Sequence, residues 1–246
     1  MKELKRKKLH LPRVLVLWGF FFISSMALTE SAPPQTRPPA VKTKPQPEIR
    51  QKLIIAQESD PSTMDAHYVV DSASASIMEH MVEPLLDLTP KGDVVPKLAE
   101  KWQVSPDATE FTLKLKKGIK FHDGQPLNAE AVKVNFDRRI DSKAATKFYF
   151  LVSQIESVTV IDEYTVRIKT KVPFTPLLSH LTYPTNGIQS PAALKRSWDK
   201  PLRMPIGTGP FIFKEWVPGN RVVMVRNDNY WGISPTLSEV TFRVIS

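Results

Sequence analysis

Alternating apolar and polar positions predict three β-hairpins along this chain. In the first, Phe111, Leu113 and Leu115 alternate with polar residues, and the turn sequence SPDAT joins them to Trp102–Val104. The same pattern recurs around the turn IDEY at 158–168 and around VPGN at 211–225. A period of two is typical of strands that bury one face. The sequence therefore predicts that one face of the Phe111 strand lies in the core and the other in solvent.

Other patterns predict a helix and a buried strand. Within 72–81, apolar residues at four-residue spacing (Ala73, Ile77 and Met81) indicate an amphipathic helix. The short apolar run Leu53–Ala56 favours a buried strand that leads into a polar loop. Because strands and helices are mixed without a strict alternation, we predict a mixed α/β body.

The stretch KFHDGQPLNAEAVKVNFDR, from Lys120 to Arg138, contains a histidine beside an aspartate and raises the question of acid–base chemistry. We interpret 116–121 as the tail of the Phe111 strand and the Asp-Gly pair as a tight turn. Asn128 is a good N-cap for a helix with an apolar stripe, made of Ala129, Val132, Phe136 and Ile140. Since neighbouring side chains on extended backbone point to opposite faces, a structural turn is favoured over a catalytic pair of His122 and Asp123.

The N-terminus has the layout of an export signal. A basic segment, Lys2–Arg13, precedes ten apolar residues, Val14–Ile23, and small residues at Ser25 and Ala27 suit cleavage. We predict a signal peptide at 1–27, hence a periplasmic or extracytoplasmic location. An uncleaved anchor is the alternative, although ten residues are about half of a membrane span. Residues 28–52 are proline-rich and predict a linker.

Charge and composition exclude several functions. The first 52 residues contribute +8 of the formal net charge of +9, because the body at 53–246 contains 23 basic and 22 acidic residues. A nucleic-acid partner is therefore not expected. The chain has no cysteine, which removes disulfides and thiol nucleophiles.

Short motifs give no evidence of a cofactor, a metal or a catalytic site. GTGP at 207–210 lacks the spacing of a phosphate loop, so we predict a backbone crossover that needs glycine torsions. His67, His80 and His180 have no second ligand at metal-binding spacing, and no GxSxG motif is present.

Three longer stretches resemble the family-5 extracellular solute-binding proteins, the peptide, nickel and glutathione receptors of bacterial ABC importers. They are LAEKWQVSPDATEFTLKLKKGIKFHDGQPLNAEAVKVNFDR at 98–138, PIGTGPFIFKEWVPGNRVVMVRNDNYWG at 205–232, and SDPSTMDAHY at 59–68. The resemblance covers 53–246 and implies a periplasmic-binding-protein-like class II clamp. It implies a main lobe at 53–82 and 201–246 and an accessory domain at 83–200. It also implies a monomer that captures peptides and delivers them to a membrane permease.

The resemblance also implies where a ligand binds, because polar loops at strand ends face the cleft of such a clamp. The candidate ligand-binding residues are Glu58, Ser59, Met64 and Asp65 in the first loop, and Tyr183, Thr185, Asn186 and Gly187 in a second turn. Ordinary loop roles are the competing interpretation. Nickel-binding members would have an arginine in the second turn, and its absence from this chain disfavours nickel as the ligand. A nickel chelate stays an alternative to peptides, as do glutathione and other small solutes.

The chain is about half as long as the family members that it resembles. We expect that the second lobe is missing, that the polypeptide as given does not form a closed clamp, and that it binds ligand weakly or not at all. Two other functions stay open: a sensor or scaffold without transport activity, and a secreted enzyme that uses His122 and Asp123.

Overall fold

The computed structural model describes residues 51–141 and 148–245. The predicted signal peptide and nearly all of the predicted linker lie outside the described residues. Within the described ranges, each helix is too short or too polar to cross a membrane.

The described residues form a mixed α/β fold, as predicted. The strands are β1 (Gln51–Gln57), β2 (Leu86–Leu88), β3 (Val94–Pro96), β4 (Ala99–Val104), β5 (Glu110–Leu115), β6 (Ile155–Asp162), β7 (Thr165–Thr170), β8 (Phe211–Val217), β9 (Arg221–Arg226) and β10 (Leu237–Val244). The α-helices are α1 (Ser72–Met78), α2 (Ala129–Ile140), α3 (Leu177–His180) and α4 (Pro191–Lys195). Single 3₁₀ turns occupy Ala66–Tyr68, Tyr149–Leu151 and Pro184–Asn186.

One four-stranded sheet has the order β1-β10-β9-β8, in which β1 and β10 are parallel and the other pairs antiparallel. The predicted strand at Leu53–Ala56 is confirmed, but its predicted burial is wrong. Leu53 is 42% exposed and Ile54 is 66% exposed. Among the described residues, β1 lies at the edge of the sheet and pairs with β10 alone, so short apolar composition does not place it in the core.

The second four-stranded sheet has the order β4-β5-β7-β6 and is antiparallel throughout. The three predicted hairpins are confirmed as β4–β5, β6–β7 and β8–β9. Phe111, Leu113 and Leu115 are buried, while Thr112 and Lys114 on the other face are half-buried.

Helix α2 packs against this second sheet and begins where the sequence predicts. The Asn128 side chain accepts a hydrogen bond of 2.9 Å from the Ala131 amide, which caps the helix. Ala129, Val132 and Phe136 are buried in the predicted stripe. The strand tail predicted at 116–121 is wrong, because β5 ends at Leu115 and Gly118 turns the chain with a φ of 79°.

Two separate hydrophobic cores support the two sheets. One is built from residues between Leu85 and Ile188 and lies under the second sheet. The other joins Met64–Val82 to strands β8, β9 and β10. The division into a main lobe and an accessory domain at 83–200 stays a prediction.

The GTGP segment crosses the end of α1, where Gly209 and Phe211 donate backbone hydrogen bonds to the carbonyls of Met81 and His80. The predicted crossover is therefore confirmed, but the predicted need for glycine torsions is wrong, since neither Gly207 nor Gly209 has a positive φ. A Cβ on Gly207 would lie 2.1 Å from the Met81 carbonyl oxygen. Glycine is needed there because two backbones approach closely.

Candidate functional site

A cavity of about 310 Å³ lies between helix α1 and the turn at 183–185. We call it the helix-turn cavity. Its lining residues are Val69, Val70, Asp71, Ser72, Ala75, Glu79, Phe148, Tyr183, Pro184 and Thr185. Most of this lining is apolar, with polar groups at a few points, which is the usual character of a small-molecule site.

Asp71 positions the helix wall of the helix-turn cavity. Its carboxylate caps α1 by accepting a 2.7 Å hydrogen bond from the Ser74 amide, and it also accepts from the hydroxyls of Ser62 and Ser74. Partial burial raises the pKa of Asp71, but these hydrogen bonds outweigh it and hold the pKa below its ordinary value. The carboxylate is therefore charged at neutral pH and fixes the first turn of α1.

The turn wall depends on a close approach at Gly187. A Cβ there would lie 2.6 Å from the Val82 side chain and 2.9 Å from the Pro184 carbonyl oxygen. Asn186, which precedes it, donates a 2.8 Å hydrogen bond to the His180 carbonyl. The sequence PTNG thus forms a tight turn that presses against the segment following α1.

A buried ion pair joins Asp65, in the segment before α1, to Arg138 on α2. The Arg138 guanidinium donates to both Asp65 carboxylate oxygens, at 3.2 and 2.8 Å, and both side chains are almost completely buried. Asp65 also accepts from the Gln189 side chain and the Leu202 amide, each at 2.9 Å. Burial alone raises the pKa of Asp65, but its interactions with His67, then Arg138 and then Gln189 outweigh burial and hold the pKa below its ordinary value.

His67 connects this ion pair to the second turn. The Asp65 side chain accepts from the His67 amide at 3.0 Å, and Arg138 donates to His67 Nδ1 at 2.9 Å. Because arginine only donates, Nδ1 must accept, which fixes the neutral imidazole. The other side of the ring hydrogen-bonds the Gly187 backbone. Burial lowers the pKa of His67 to about 3.

Arg139 fixes the backbone of Phe148, the cavity residue that belongs to neither α1 nor the turn at 183–185. It donates to the Phe148 carbonyl at 3.0 Å and to the His67 carbonyl at 2.9 Å. The end of α2 thus ties Phe148 to the segment before α1.

The structure separates the eight predicted ligand residues into different surroundings. Tyr183 and Thr185 line the helix-turn cavity, whereas Asn186 and Gly187 are buried in the same turn without lining it. Glu58 and Ser59 are exposed after β1, Met64 is in the core, and Asp65 is in the ion pair. His67 connects Asp65 to Gly187. Ligand binding by these residues stays a prediction.

Most of the apolar lining is absent from the residues predicted from the sequence, including Val69, Val70, Ala75 and Phe148. The only local signal is the valine pair after MDAHY, since Val70 is 41% exposed although it lies next to a capped helix. Phe148 has no local signal, because tertiary contacts through Arg139 bring it to the cavity.

An adjoining cavity of about 370 Å³ shares Glu79 and Pro184 with the helix-turn cavity. Its other lining residues are Val82, Glu83, Pro84, Asp87, Leu88, Lys97 and Thr182.

Glu83 is the organising residue of the adjoining cavity. Its carboxylate, 2% exposed as a residue, accepts from Thr208, Tyr230 and Trp231 at 2.7, 2.7 and 2.8 Å. Burial and the bond to Glu83 raise the pKa of Tyr230. The motifs GTGP and RNDNYWG therefore supply neutral donors to one buried carboxylate, which is a structural role.

His122 and Asp123 occupy a turn and have separate partners, as predicted. His122 Nε2 donates to the Gly209 carbonyl at 3.0 Å, and Ser190 donates to Asp123 at 2.5 Å. Gly124 completes the turn with a φ of 83°. Burial lowers the pKa of His122. Among the described residues, no group of three histidine or acidic side chains is placed to hold a metal ion.

Residues 93–246 match the family model described as bacterial extracellular solute-binding proteins, family 5 middle. The chain is 33% identical over 196 residues to the glutathione-binding protein GsiB of Escherichia coli K12, and 32% identical over 193 residues to that of Pectobacterium atrosepticum. These alignments cover 79% and 78% of this chain but only 38% of each relative.

Solved structures have the same fold. The Helicobacter pylori periplasmic binding protein DppA in complex with the peptide STSA aligns with a TM-score of 0.72 at 28% identity, over 79% of this chain and 43% of that one. NikA from Brucella suis in complex with Fe(III)-EDTA aligns with a TM-score of 0.74 at 32% identity, over 79% and 39% of the two chains. AgaA of A. tumefaciens R10 in complex with agropinic acid gives 0.75 at 30% identity, over 79% and 40%. These alignments confirm the predicted fold class, a portion of a periplasmic-binding-protein-like clamp.

Proposed function

Since this chain belongs to the bacterial extracellular solute-binding proteins of family 5, we propose that it forms one wall of a solute-binding cleft. In this proposal the protein is the receptor component of an ABC importer and passes its solute to a membrane permease. The helix-turn cavity carries the proposal, because it combines an apolar pocket of about 310 Å³ with polar groups held in fixed positions. Both walls are held in place within the protein, since Asp71 caps α1 and Asn186 donates to the His180 carbonyl.

We propose peptides as the solute class. The cavity volume suits one or two side chains, and the half-exposed Tyr183 at its rim can stack on a ligand while its hydroxyl makes a polar contact. The STSA complex of the Helicobacter protein supports this class by similarity. Glutathione is the second candidate, which the relatives at 32–33% identity favour.

The proposed location is extracytoplasmic, after export by residues 1–27. N-terminal sequencing of the protein exported by a bacterial host tests this. A start at Leu28 would support cleavage after Ala27, whereas a start at Met1 in the membrane fraction would contradict it.

Titration calorimetry of the purified chain with an alanine tripeptide and with reduced glutathione tests the solute class. Because one wall of a cleft holds a ligand weakly, both ligands are used up to millimolar concentration. We expect saturable binding of the tripeptide, weakened at least about tenfold by Ala75→Leu, which fills the cavity. Thr159→Leu, on the exposed face of β6, is the matched control and leaves binding unchanged.

Binding of glutathione without binding of the tripeptide would favour glutathione over peptides as the solute class. Failure of both ligands to bind, or equal binding by the wild type and Ala75→Leu, would contradict a solute site in the helix-turn cavity.

A further inference from the structure

The helix-turn cavity and the adjoining cavity meet at Glu79, and both are acidic. Among the described residues, four carboxylates line the two cavities together, those of Asp71, Glu79, Glu83 and Asp87, and Lys97 is the one lysine of that lining. The described lining of the helix-turn cavity contains no lysine or arginine. A ligand that enters here meets a field that attracts positive charge.

Three of these carboxylates already have partners. Asp71 caps α1, and Glu83 accepts three hydrogen bonds from neutral donors. Asp87 pairs with Lys97 at 3.2 Å, and the same ammonium group lies 3.7 Å from Glu83. Lys97 is thus held by two anions and is not available to neutralise Glu79.

Glu79 differs from the other three carboxylates. Its backbone amide closes α1 on the Ala75 carbonyl, but no side chain of the described residues pairs with its carboxylate. The side chain is exposed at the wall that separates the two cavities. An exposed carboxylate loses little hydration when a cation approaches it, so it can form an ion pair at low cost.

Thr185 is an independent sign of a ligand. It is 4% exposed and lines the helix-turn cavity, and its hydroxyl has no hydrogen-bond partner among the described residues. A buried hydroxyl without a partner is unfavourable unless a bound molecule or a water satisfies it. A polar ligand atom inside the apolar cavity would supply the missing hydrogen-bond partner of the Thr185 hydroxyl.

We propose that Glu79 selects peptides with a positively charged side chain. The cation, an ammonium or a guanidinium, pairs with Glu79 at the meeting point of the cavities. The apolar part of the solute lies in the helix-turn cavity, where Thr185 hydrogen-bonds one of its polar atoms. This inference rests on the proposed function and narrows it to basic peptides. It places glutathione among the poor ligands, because that peptide has two carboxylates and one ammonium group at neutral pH.

A series of three tripeptides tests the selection. Calorimetry of the chain with Ala-Lys-Ala, Ala-norleucine-Ala and Ala-Glu-Ala varies only the central charge, at about 20 mM salt to limit screening. We expect the lysine peptide to bind about fivefold more tightly than the norleucine peptide, and the glutamate peptide to bind most weakly. Glu79→Gln removes the preference for lysine. Glu100→Gln, an exposed β4 residue outside both cavities, keeps it.

The outcomes separate the two proposals. Equal binding of the lysine and norleucine peptides would overturn the selection by charge while leaving peptide binding intact. A lysine preference that survives Glu79→Gln would overturn the role of Glu79. Failure of all three peptides to bind would overturn both the selection and the proposed function.

Discussion

At the scale of single residues, Asp65 and Arg138 connect segments that are far apart in the chain. The guanidinium also donates to the carbonyls of Trp198, Ser197 and Lys200, so its hydrogen-bonding capacity is used within the protein. Such a pair gives modest net stability, but removing one partner leaves the other charged and buried. The pair therefore acts as a structural anchor that joins the segment before α1 to α2.

We expect Asp65→Asn to lower the free energy of unfolding by about 3–5 kcal/mol, because Arg138 would remain buried without its counter-ion. Urea denaturation measures this. Asp137→Asn is the matched control, because Asp137 lies on α2 next to Arg138. The variant breaks a partly exposed ion pair with Lys133 and should cost less than about 1 kcal/mol. Similar small losses for both variants would show that the buried pair is not an anchor.

The buried His67 predicts a pH dependence. Its pKa in the folded protein is about 3, below the ordinary 6.5, so the unfolded chain takes up a proton first as the pH falls. The neutral histidine therefore costs no stability above pH 6.5, and stability falls progressively below it. The loss from this one residue reaches about 2 kcal/mol at pH 5.

Urea denaturation at pH 7 and pH 5 checks this dependence. The wild type should lose stability over that range, and His67→Gln should lose about 2 kcal/mol less between the same two pH values. His122, whose pKa burial also lowers, contributes equally to both proteins. An identical loss in the wild type and the variant would refute the role of His67.

At the scale of elements, sequence patterns predict those features that depend on residues close together in the chain. The hairpin at Phe111 and the cap at Asn128 follow from alternation and from one side-chain hydrogen bond. The exposure of β1 could not be predicted from its own residues. It depends on the position of β1 beside β10, which lies almost the whole described chain away. The reason for glycine at 207 is not predictable from the local sequence either. The close neighbour is the Met81 carbonyl oxygen, which only the folded structure brings to Gly207.

Gly207→Ala tests this steric explanation. The added Cβ would lie 2.1 Å from the Met81 carbonyl, so the crossover must move, and we expect a loss of roughly 3 kcal/mol in urea denaturation. The control is Gly92→Ala, where φ is 87° and no atom lies within 4 Å of the added Cβ. That variant pays only for backbone strain, about 1–2 kcal/mol. A Gly207→Ala variant as stable as the wild type would contradict the close approach.

At the scale of the whole molecule, the candidate site was only partly predictable. Tyr183 and Thr185 were identified because the family resemblance points to their turn, and both line the helix-turn cavity. Glu58 and Ser59 come from an equally polar loop but lie outside that lining. Val70 and Phe148 become neighbours only when α2 holds both sides through Arg139 and the ion pair. Sequence patterns do not encode such contacts.

If the solute binds in the helix-turn cavity, it must change the surroundings of the lining residues, which nuclear magnetic resonance of the isotope-labelled chain detects. Titration with Ala-Lys-Ala should shift the amide signals of Val70, Ala75, Glu79 and Thr185. The signals of the β6–β7 hairpin, which contributes no residue to the lining of either cavity, should stay unchanged. Absence of shifts around the cavity, or saturable shifts confined to other parts of the protein, would contradict solute binding in the helix-turn cavity.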